Sequence, residues 1–251
     1  MMRLGSLLQA AGVLAEVDSD AVLDLSVQAI TADSRQVTPG CLFVAVAGSR
    51  AHGIQHADAA VAAGAVAIVS DVAARATVPV LVVPDAAQAL GHLASAWHGH
   101  PSKSLRMLGI TGTNGKTTSA LLVAQLLHAA GHKVAALGTL GVWTPTGLTP
   151  GQLTTSDAMS LQATLADLLQ QGTTHVVMEV SSHALMQGRV AGVVFWAAAW
   201  TNLSQDHLDY HSDFNDYRLA KMKLFSELLP KGAPAVINAD SPELDVFEAA
   251  A

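Results

Sequence analysis

The stretch Gly109-Ile110-Thr111-Gly112-Thr113-Asn114-Gly115-Lys116-Thr117-Thr118 decides the fold, because it joins a largely apolar run at 105–110 to a helical pattern at 117–130. A strand, a glycine-rich turn and a helix N-terminus together present several backbone N–H groups to an anion. In such a turn Lys116 reaches the outer phosphates of a nucleotide, and the Thr117 hydroxyl binds a magnesium ion. The stretch therefore predicts a nucleotide-phosphate loop within an α/β sheet.

This loop is a variant of the strict P-loop pattern. The pattern places a glycine five residues before Gly115, where this chain has Ile110, and the glycines present instead are Gly109 and Gly112. The alternative is a Gly-Lys-Thr sequence in an unrelated surface turn. The strand before the loop and the helix after it favour the phosphate loop.

The composition indicates a folded α/β protein. Hydrophobic residues make up 51% of the 251 residues and charged residues 13%, which excludes disorder and favours buried parallel strands. The net charge of −7 gives no electrostatic basis for binding nucleic acid or anionic membranes, so a phosphorylated substrate needs a local cationic site. Cys41 is the only cysteine, so it forms no intrachain disulfide, and its apolar neighbours place it in the core.

The chain carries no pattern of membrane insertion or export. Leu4, Leu7, Leu8 and Ala11 have the spacing of an amphipathic helix rather than of a signal peptide. No apolar segment is long enough to span a bilayer. We therefore expect a soluble, cytoplasmic protein.

Two α/β domains are predicted, over residues 1–100 and 105–251. The first alternates strands at 42–46, 66–69 and 80–83 with helices at 57–63 and 85–97. Residues 98–104 form the expected linker, with His98 and His100 on its surface. The second has strands at 105–110, 133–137, 174–180, 193–200 and 235–238, and helices at 117–130, 156–171 (capped by Ser156) and 213–229. Its sheet should be mostly parallel, and the end soon after the last strand predicts that this domain is incomplete.

Glu179 ends a predicted buried strand in the second domain. In the sheet of a phosphate-loop protein, a carboxylate at that position lies beside the metal ion that accompanies the phosphates. The alternative is a strand-end acid that faces solvent. Ser181, Ser182 and His183 follow directly, but a serine hydrolase is disfavoured because the chain has no nucleophile-elbow pattern.

A second polar cluster covers residues 202–211. His207 and His211 have the spacing of two zinc ligands on a helix, yet no HExxH pattern or cysteine accompanies them. The Asp and His residues after a strand better fit the rim of a phosphoryl-transfer site. Further on, Lys221 and Lys223 have the spacing of ordinary helix-face cations, and nothing in the pattern distinguishes them. Asp33-Ser34-Arg35, followed by Pro39-Gly40, is a turn with polar groups able to bind a ligand.

These motifs together resemble the ATP-dependent Mur ligases of peptidoglycan synthesis. The resemblance rests on residues 111–118, 179–183, 201–202, 206–207 and 220–221, and residues 33–35, 39–40, 42–45 and 48 are similar to the uridine-nucleotide domain of that family. Glu-Val-Ser-Ser-His at 179–183 and Gln-Gly-Arg-Val at 187–190 resemble the MurE subfamily. Its members add the third peptide residue, meso-diaminopimelate or L-lysine, to UDP-N-acetylmuramoyl-L-alanyl-D-glutamate through an acyl phosphate.

The resemblance implies roles for individual residues. Those implied to be catalytic are Lys116, Glu179, His207 and Lys221. Those implied to hold the ATP phosphates are Gly112, Thr113, Asn114, Gly115, Lys116, Thr117 and Thr118. The implied magnesium ligands are Thr117, Glu179, His207 and, once carbamylated, Lys221. The implied contacts of the muramoyl-dipeptide are Thr154, Thr155, Ser181, Gln187 and Arg189, and those of the uridine diphosphate are Ala32, Ser34, Ser49, Arg50 and Ala51. Leu153 departs from the family, whose members often carry asparagine there.

The resemblance also implies cofactors, partners and a third domain. ATP and Mg²⁺ are the implied cofactors, and UDP-MurNAc-dipeptide and a diamino acid are the implied small-molecule partners. We expect a monomer without membrane insertion, and the net charge predicts no nucleic-acid partner. The C-terminal domain that binds the incoming amino acid in the family has no counterpart here, so we expect this chain alone not to ligate. The alternatives are a non-catalytic nucleotide-binding fragment, or a related ligase such as MurF, in which Glu-Val-Ser-Ser-His is not expected.

Overall fold

The structure is a computed structural model that describes residues 1–16, 19–48, 51–151, 153–206 and 209–251. The chain divides into two compact units, Met1–Gly99 and His100–Ala251. Within the described residues, no helix combines the length and the apolar character needed to cross a membrane.

The first unit is built on a four-stranded parallel sheet in the order β3-β4-β5-β6. A short antiparallel pair, β1 with β2, precedes it. The strands are β1 Met2–Arg3, β2 Ser26–Val27, β3 Ala29–Thr31, β4 Cys41–Ala45, β5 Ala65–Ser70 and β6 Val80–Val82. The helices are α1 Leu4–Ala11, α2 Asp20–Leu23, α3 Ala57–Ala62 and α4 Ala86–Trp97, with 3₁₀ turns at Ser34–Gln36 and Gly53–His56.

The sequence pattern explains these elements. Every residue of β4, including Cys41, is buried, as an apolar run inside a parallel sheet requires. Asp85 ends the loop before α4 and accepts a hydrogen bond from the Gln88 N–H at 2.9 Å, which satisfies one amide of the first helical turn. The predicted N-terminal helix buries Leu4, Leu7, Leu8 and Ala11. These predictions are confirmed.

The second unit is built on a seven-stranded sheet in the order β10-β9-β8-β11-β7-β12-β13. The strands from β8 to β13 in that order are parallel, and β9 and β10 add an antiparallel hairpin at one edge. The strands are β7 Arg106–Thr111, β8 Val134–Gly138, β9 Gly141–Thr144, β10 Gly147–Thr149, β11 His175–Glu179, β12 Ala197–Trp200 and β13 Ala235–Ile237. The helices are α5 Lys116–Ala129, α6 Ala158–Gln170, α7 Ser182–Met186, α8 Phe214–Lys223 and α9 Leu244–Ala250, with a 3₁₀ turn at Pro101–Lys103 and a π-helical turn at Leu224–Leu228.

The strand register brings the functional segments to one edge of this sheet. In the central pair, Glu179 of β11 lies opposite Ile110 of β7, directly before the phosphate loop. On the other side of β11, Met178 lies opposite Leu137, so β8 ends beside Glu179. Parallel strands end at the same edge, and this edge carries the loops from all three strands.

The predicted α/β fold with a mostly parallel sheet is confirmed, and several details are corrected. Helix α6 begins after Asp157, whose carboxylate accepts from the Ser160 N–H at 3.0 Å, and not after Ser156. The helix predicted at 213–229 ends at Lys223 and continues as the π-helical turn. The strand predicted at 193–200 begins only at Ala197. The β9–β10 hairpin was not predicted, because its short strands contain few apolar residues.

The predicted linker is also corrected. Pro101 and Ser102 are buried, and the Ser102 hydroxyl accepts from the Val194 N–H at 3.2 Å. Residues 101–104 therefore pack as part of the second unit. His98 and His100 are half-buried rather than exposed.

Candidate nucleotide and substrate site

The phosphate loop connects β7 to α5, as the sequence predicts. Gly112 has φ +144° and Gly115 has φ +85°, which is backbone that favours glycine. A Cβ on Gly112 would lie 2.0 Å from the Thr201 Oγ1, so this position also has no space for a side chain. The first-turn amides of α5 have no carbonyl partner within the helix, and they are therefore available to an anion.

A distant segment holds the loop in shape. Asn202 accepts from the Thr113 N–H through its carbonyl at 2.9 Å and from the Asn114 N–H through its side chain at 3.0 Å. The Thr201 hydroxyl donates to the Asn114 carbonyl at 2.7 Å, and the Ser204 N–H donates to the Thr113 hydroxyl at 3.0 Å. Because these contacts span about ninety residues of chain, the loop conformation is part of the tertiary fold.

Lys116 folds over the loop that precedes it. Its Nζ donates to the carbonyls of Gly112 at 2.9 Å and Thr113 at 2.8 Å. Burial lowers the pKa of this ammonium, and the nearby charges of Glu179 and Asp206 partly offset that effect. The side chain is thus placed where a phosphate could replace the two carbonyls.

Glu179 is buried, with 1% of its surface exposed, so the alternative of a solvent-facing strand-end acid is wrong. Its carboxylate accepts from the Thr117 hydroxyl at 2.9 Å and from the Thr139 N–H at 2.8 Å. A Cβ on Gly138 would lie 1.8 Å from its Oε1, so only glycine leaves room for this carboxylate. A hydroxyl and a carboxylate side by side are the oxygen donors that Mg²⁺ prefers, so these residues fit a magnesium ion.

The segment implied to contact the dipeptide lies directly beside Glu179. The Thr139 hydroxyl donates to Glu179 at 3.3 Å and shares a hydrogen bond with the Thr154 hydroxyl at 3.0 Å. The Thr155 hydroxyl donates to the Glu179 carbonyl at 2.9 Å and accepts from the Ser181 N–H at 3.2 Å. Thr154, Thr155 and Ser181 are therefore within one hydrogen-bonded network with the predicted metal ligand.

Arg189 extends this network. Its guanidinium donates to the Thr155 carbonyl at 2.9 Å and to the side-chain oxygen of Gln187. The Gln187 amide in turn donates to the Tyr210 hydroxyl at 3.2 Å. Leu153, at the position where the family often has asparagine, is 47% exposed.

The structure separates two lysines that the sequence pattern did not distinguish. Lys221 is 1% exposed, and its Nζ donates to the Gly112 carbonyl at 2.9 Å and lies 4.5 Å from the Tyr217 ring centroid. Burial and the neighbouring Lys116 charge lower the pKa of Lys221 to about 7, although Asp206 opposes this shift. Lys223 instead lies 3.9 Å from Glu227 on the helix surface. The spacing of Tyr217, Lys221 and Leu224 on one helical stripe could have indicated the buried lysine.

In the second polar cluster, the described residues give no support for a helical zinc site. His207 lies outside the described residues, so its predicted role stays a prediction, and His211 lies in the loop before α8 rather than on a helix. Within the ranges that the structure describes, no group of three His, Cys, Asp or Glu side chains could hold a metal ion. His211 contacts Ser182 at 3.0 Å and Asp216 at 3.2 Å, and sequence spacing gave no signal for either contact.

In the first unit, Ala32 and Ser34 lie in the turn that follows β3. Asp33 caps this turn by accepting from the Arg35 N–H at 3.0 Å, and it forms an ion pair with the Arg35 guanidinium at 2.8 Å. These contacts lower the pKa of Asp33 to about 2. Ala51 accepts from the Gly48 N–H at 3.0 Å, whereas Ser49 and Arg50 lie outside the described residues.

Comparisons with known proteins identify the family of both units. Residues 110–251 match the Mur ligase middle domain, and residues 26–98 match the catalytic domain of the Mur ligase family. The chain is 50% identical, over 221 residues, to the UDP-N-acetylmuramoyl-L-alanyl-D-glutamate–2,6-diaminopimelate ligase of Agrobacterium fabrum, covering 88% of this chain and 45% of that protein. It is 46% identical over 253 residues to the ligase of the same name from Alkalilimnicola ehrlichii, covering 96% of this chain and 49% of that protein.

A solved structure shares the fold of this chain. It is a UDP-N-acetylmuramoyl-L-alanyl-D-glutamate–2,6-diaminopimelate ligase with a TM-score of 0.82 and 32% identity, covering 99% of this chain and 50% of that one. The chain thus spans about half the length of the relatives it matches. Because the middle-domain match covers more than half of its residues, the chain belongs to the Mur ligase family.

Proposed function

We propose that this chain provides the nucleotide and muramoyl-dipeptide sites of a MurE-type ligase. That activity is the ATP-dependent addition of a diamino acid to UDP-N-acetylmuramoyl-L-alanyl-D-glutamate. One observation carries the proposal: the Thr139 hydroxyl contacts both Glu179, beside the phosphate loop, and Thr154, in the implied dipeptide segment. A carboxyl group bound at Thr154 would therefore lie next to the bound phosphates, as phosphoryl transfer to that carboxyl group requires.

The phosphate loop would bind ATP through its backbone. The first-turn amides of α5 would donate to phosphate oxygens, and the Lys116 Nζ would exchange the Gly112 and Thr113 carbonyls for the outer phosphates. The rigid attachment of the loop to Asn202 means that little reorganisation is needed on binding.

Thr117 and Glu179 would hold magnesium, together with His207 and a carbamylated Lys221. Bound Mg²⁺ supplies charge neutralisation on the transferring phosphoryl group. The Thr139 N–H keeps the Glu179 carboxylate oriented toward Thr117. This orientation fixes the oxygen donors before any ligand binds.

Lys221 has the properties that carbamylation needs. With a pKa near 7, a substantial fraction of its amine is neutral at pH 7, so the nitrogen lone pair can attack the carbon of CO₂. A new N–C bond forms, the amine loses one proton to solvent, and the product is a carbamate anion. Carbamylation would replace the positive charge of Lys221 by a negative one. The repulsion between Lys221 and Lys116 would then become an attraction.

The dipeptide would bind through Thr154, Thr155, Ser181, Gln187 and Arg189, and the uridine diphosphate through Ala32, Ser34, Ser49, Arg50 and Ala51. ATP would phosphorylate the D-glutamate side-chain carboxylate to an acyl phosphate. The amine of the diamino acid would attack the acyl carbon, and phosphate would leave from the tetrahedral adduct. The names of the relatives favour 2,6-diaminopimelate over L-lysine as that amine.

Binding and turnover measurements on this chain test the proposal. We expect calorimetry to show binding of ATP with magnesium and of UDP-N-acetylmuramoyl-L-alanyl-D-glutamate. We expect Lys116→Ala to weaken ATP binding at least about tenfold while the chain stays folded. Addition of either amine, with product read by mass, would show whether the chain ligates alone, which we do not expect. Equal ATP affinity of the wild type and the Lys116→Ala variant would contradict the assignment of residues 112–118 as the ATP phosphate site.

A further inference from the structure

Three polar side chains form a hydrogen-bonded line between α7 and α8, in which Ser182 and His211 are buried and the Asp216 side chain is 35% exposed. The Ser182 Oγ lies 3.0 Å from the His211 Nε2, and the His211 Nδ1 lies 3.2 Å from the Asp216 Oδ2. Ser182 is 1% exposed and His211 2%. Because an ionised carboxylate only accepts hydrogen bonds, the Nδ1 proton is donated to Asp216, and in the neutral ring the Ser182 hydroxyl donates to Nε2.

Each end of this line belongs to a different part of the proposed site. Ser182 is the first residue of α7 and directly follows Ser181, and the same segment continues to Arg189. Asp216 lies in the first turn of α8, where its N–H donates to the capping Asp213 at 2.8 Å. Helix α8 carries Lys221. The line therefore connects the dipeptide side of the site to the helix that carries the buried lysine.

The same residue types form the nucleophilic triad of serine hydrolases, but the burial of Ser182 argues against that role. A nucleophile must reach its substrate, and this hydroxyl is enclosed, with His211 as its partner. A line of hydrogen-bonded polar side chains with a buried centre instead fixes the relative position of the elements that it joins.

We propose that Ser182, His211 and Asp216 are positioning residues, which hold segment 181–189 against α8 and so set the affinity for the muramoyl-dipeptide. The identity of this ligand rests on the proposed function. The contact between Ser182 and His211 joins α7 to the residues before α8, together with the hydrogen bond from Gln187 to Tyr210. The contact between His211 and Asp216 lies within residues 211–216.

Two isosteric substitutions separate the contacts. His211→Gln places an amide near the former Nε2 and keeps the contact with Ser182, whereas His211→Asn places an amide near the former Nδ1 and keeps only the contact with Asp216. We expect His211→Asn to speed amide hydrogen exchange in segment 181–189 of the ligand-free chain by about tenfold, the equivalent of one lost hydrogen bond, and His211→Gln to stay near the wild type. Equal exchange rates in the two variants would overturn the proposal. Because asparagine is one methylene shorter than glutamine, Ser182→Ala, which leaves residue 211 unchanged, separates the hydrogen bond from a role of residue 211 in packing.

Ser182→Ala removes only one hydroxyl, and it provides the alternative test of the Ser182–His211 contact if His211→Asn does not fold. It should raise exchange in the same segment, and an unchanged rate there would also overturn the proposal. Labelling of Ser182 by a fluorophosphonate would overturn it in favour of a nucleophile.

A binding measurement then connects the line to the ligand. We expect His211→Asn to bind UDP-N-acetylmuramoyl-L-alanyl-D-glutamate about tenfold more weakly than His211→Gln does, with the affinity for ATP unchanged in both variants. Equal affinity of the two variants for the dipeptide would overturn the functional part of the proposal. If the wild type binds no dipeptide, the proposed function fails, while the exchange contrast still decides whether the line positions segment 181–189.

Discussion

The phosphate loop of the second unit and the Asp33 turn of the first unit both follow a strand of a parallel sheet, yet they are held in different ways. The phosphate loop is bonded to Asn202, about ninety residues away in the chain, and the half-buried Lys116 and the buried Lys221 both donate to the Gly112 carbonyl. In the Asp33 turn, the side chain of Asp33 bonds to Arg35 and Gln36, and the Arg35 side chain is 87% exposed. The first conformation depends on the tertiary fold, and the second is largely local.

This difference shows that the conformation of a binding loop can be stabilised by distant segments or by its own side chains. A loop held by distant segments is formed only when the domain folds, so a change within it affects stability and ligand binding together. A turn held by its own side chains can lose a contact with little effect on the rest of the domain. Three substitutions can test this contrast.

The largest effect is expected for Gly112→Ala. Its Cβ would lie 2.0 Å from the Thr201 Oγ1 at a φ of +144°, so the loop and segment 201–204 would have to separate. We expect a loss on the order of 3 kcal/mol of unfolding free energy in urea, together with loss of ATP binding. The control is Gly131→Ala, which has φ +90° but no atom within 4 Å of the new Cβ, and it should cost about 1 kcal/mol. Similar losses in both variants would mean that the packing against Thr201 is unimportant.

An intermediate and pH-dependent effect is expected for Lys221→Met. The folded-state pKa of Lys221 is about 7, below its ordinary value of 10.5, so the unfolded chain binds more protons between these two values. Stability of the wild type should therefore rise with pH through that window, by at most about 1.4 kcal/mol per unit, and be lowest below pH 7. Without CO₂, Lys221→Met should be more stable than the wild type by about 2 kcal/mol near pH 6.5, and this advantage should disappear and reverse in sign toward pH 10.

The control for that experiment is Lys223→Met, which removes a lysine from the helix surface. Chemical denaturation across pH 6–10 would compare the two variants. A constant difference between Lys221→Met and the wild type over this range would contradict the lowered pKa.

The smallest effect is expected for Asp33→Asn. The Arg35 contacts lower the pKa of Asp33 to about 2, so the stabilisation is present above pH 4 and is lost as the pH falls toward 2. Because this ion pair is exposed to solvent and screened, we expect a loss of no more than about 0.5 kcal/mol at pH 7. Thermal unfolding at pH 7 and pH 2.5 would measure it. A loss as large as that of Gly112→Ala would contradict the view that this turn is local.

The sequence predicted the helices and strands that have strong periodicity. It did not predict the hydrogen bonds between residues that are distant in the chain. Helix α4 and strand β4 follow directly from their apolar spacing and, for α4, from the capping Asp85. The phosphate loop was predictable because its glycines, lysine and threonine are adjacent in the chain. The place of Lys221 under Gly112 was not, because it depends on the packing of α8 against a loop more than a hundred residues away.

The same reason explains the residues that the sequence analysis missed. Thr139 and Tyr217 belong to no motif, and their contacts with Glu179 and Thr113 exist only after the strands and helices have packed. The β9–β10 hairpin lacks the apolar alternation of a half-buried strand, since all of β10 is exposed. The individual roles of the predicted site residues stay predictions until the variants are measured.

Gly138 has an evolutionary consequence of its own. Because any side chain at this position would overlap the Glu179 carboxylate, the two positions are epistatic: the larger residue at one is possible only with a shorter one at the other. We expect a lineage that keeps the acid in this position to reject side chains at Gly138, although this glycine carries no functional group and has no left-handed backbone.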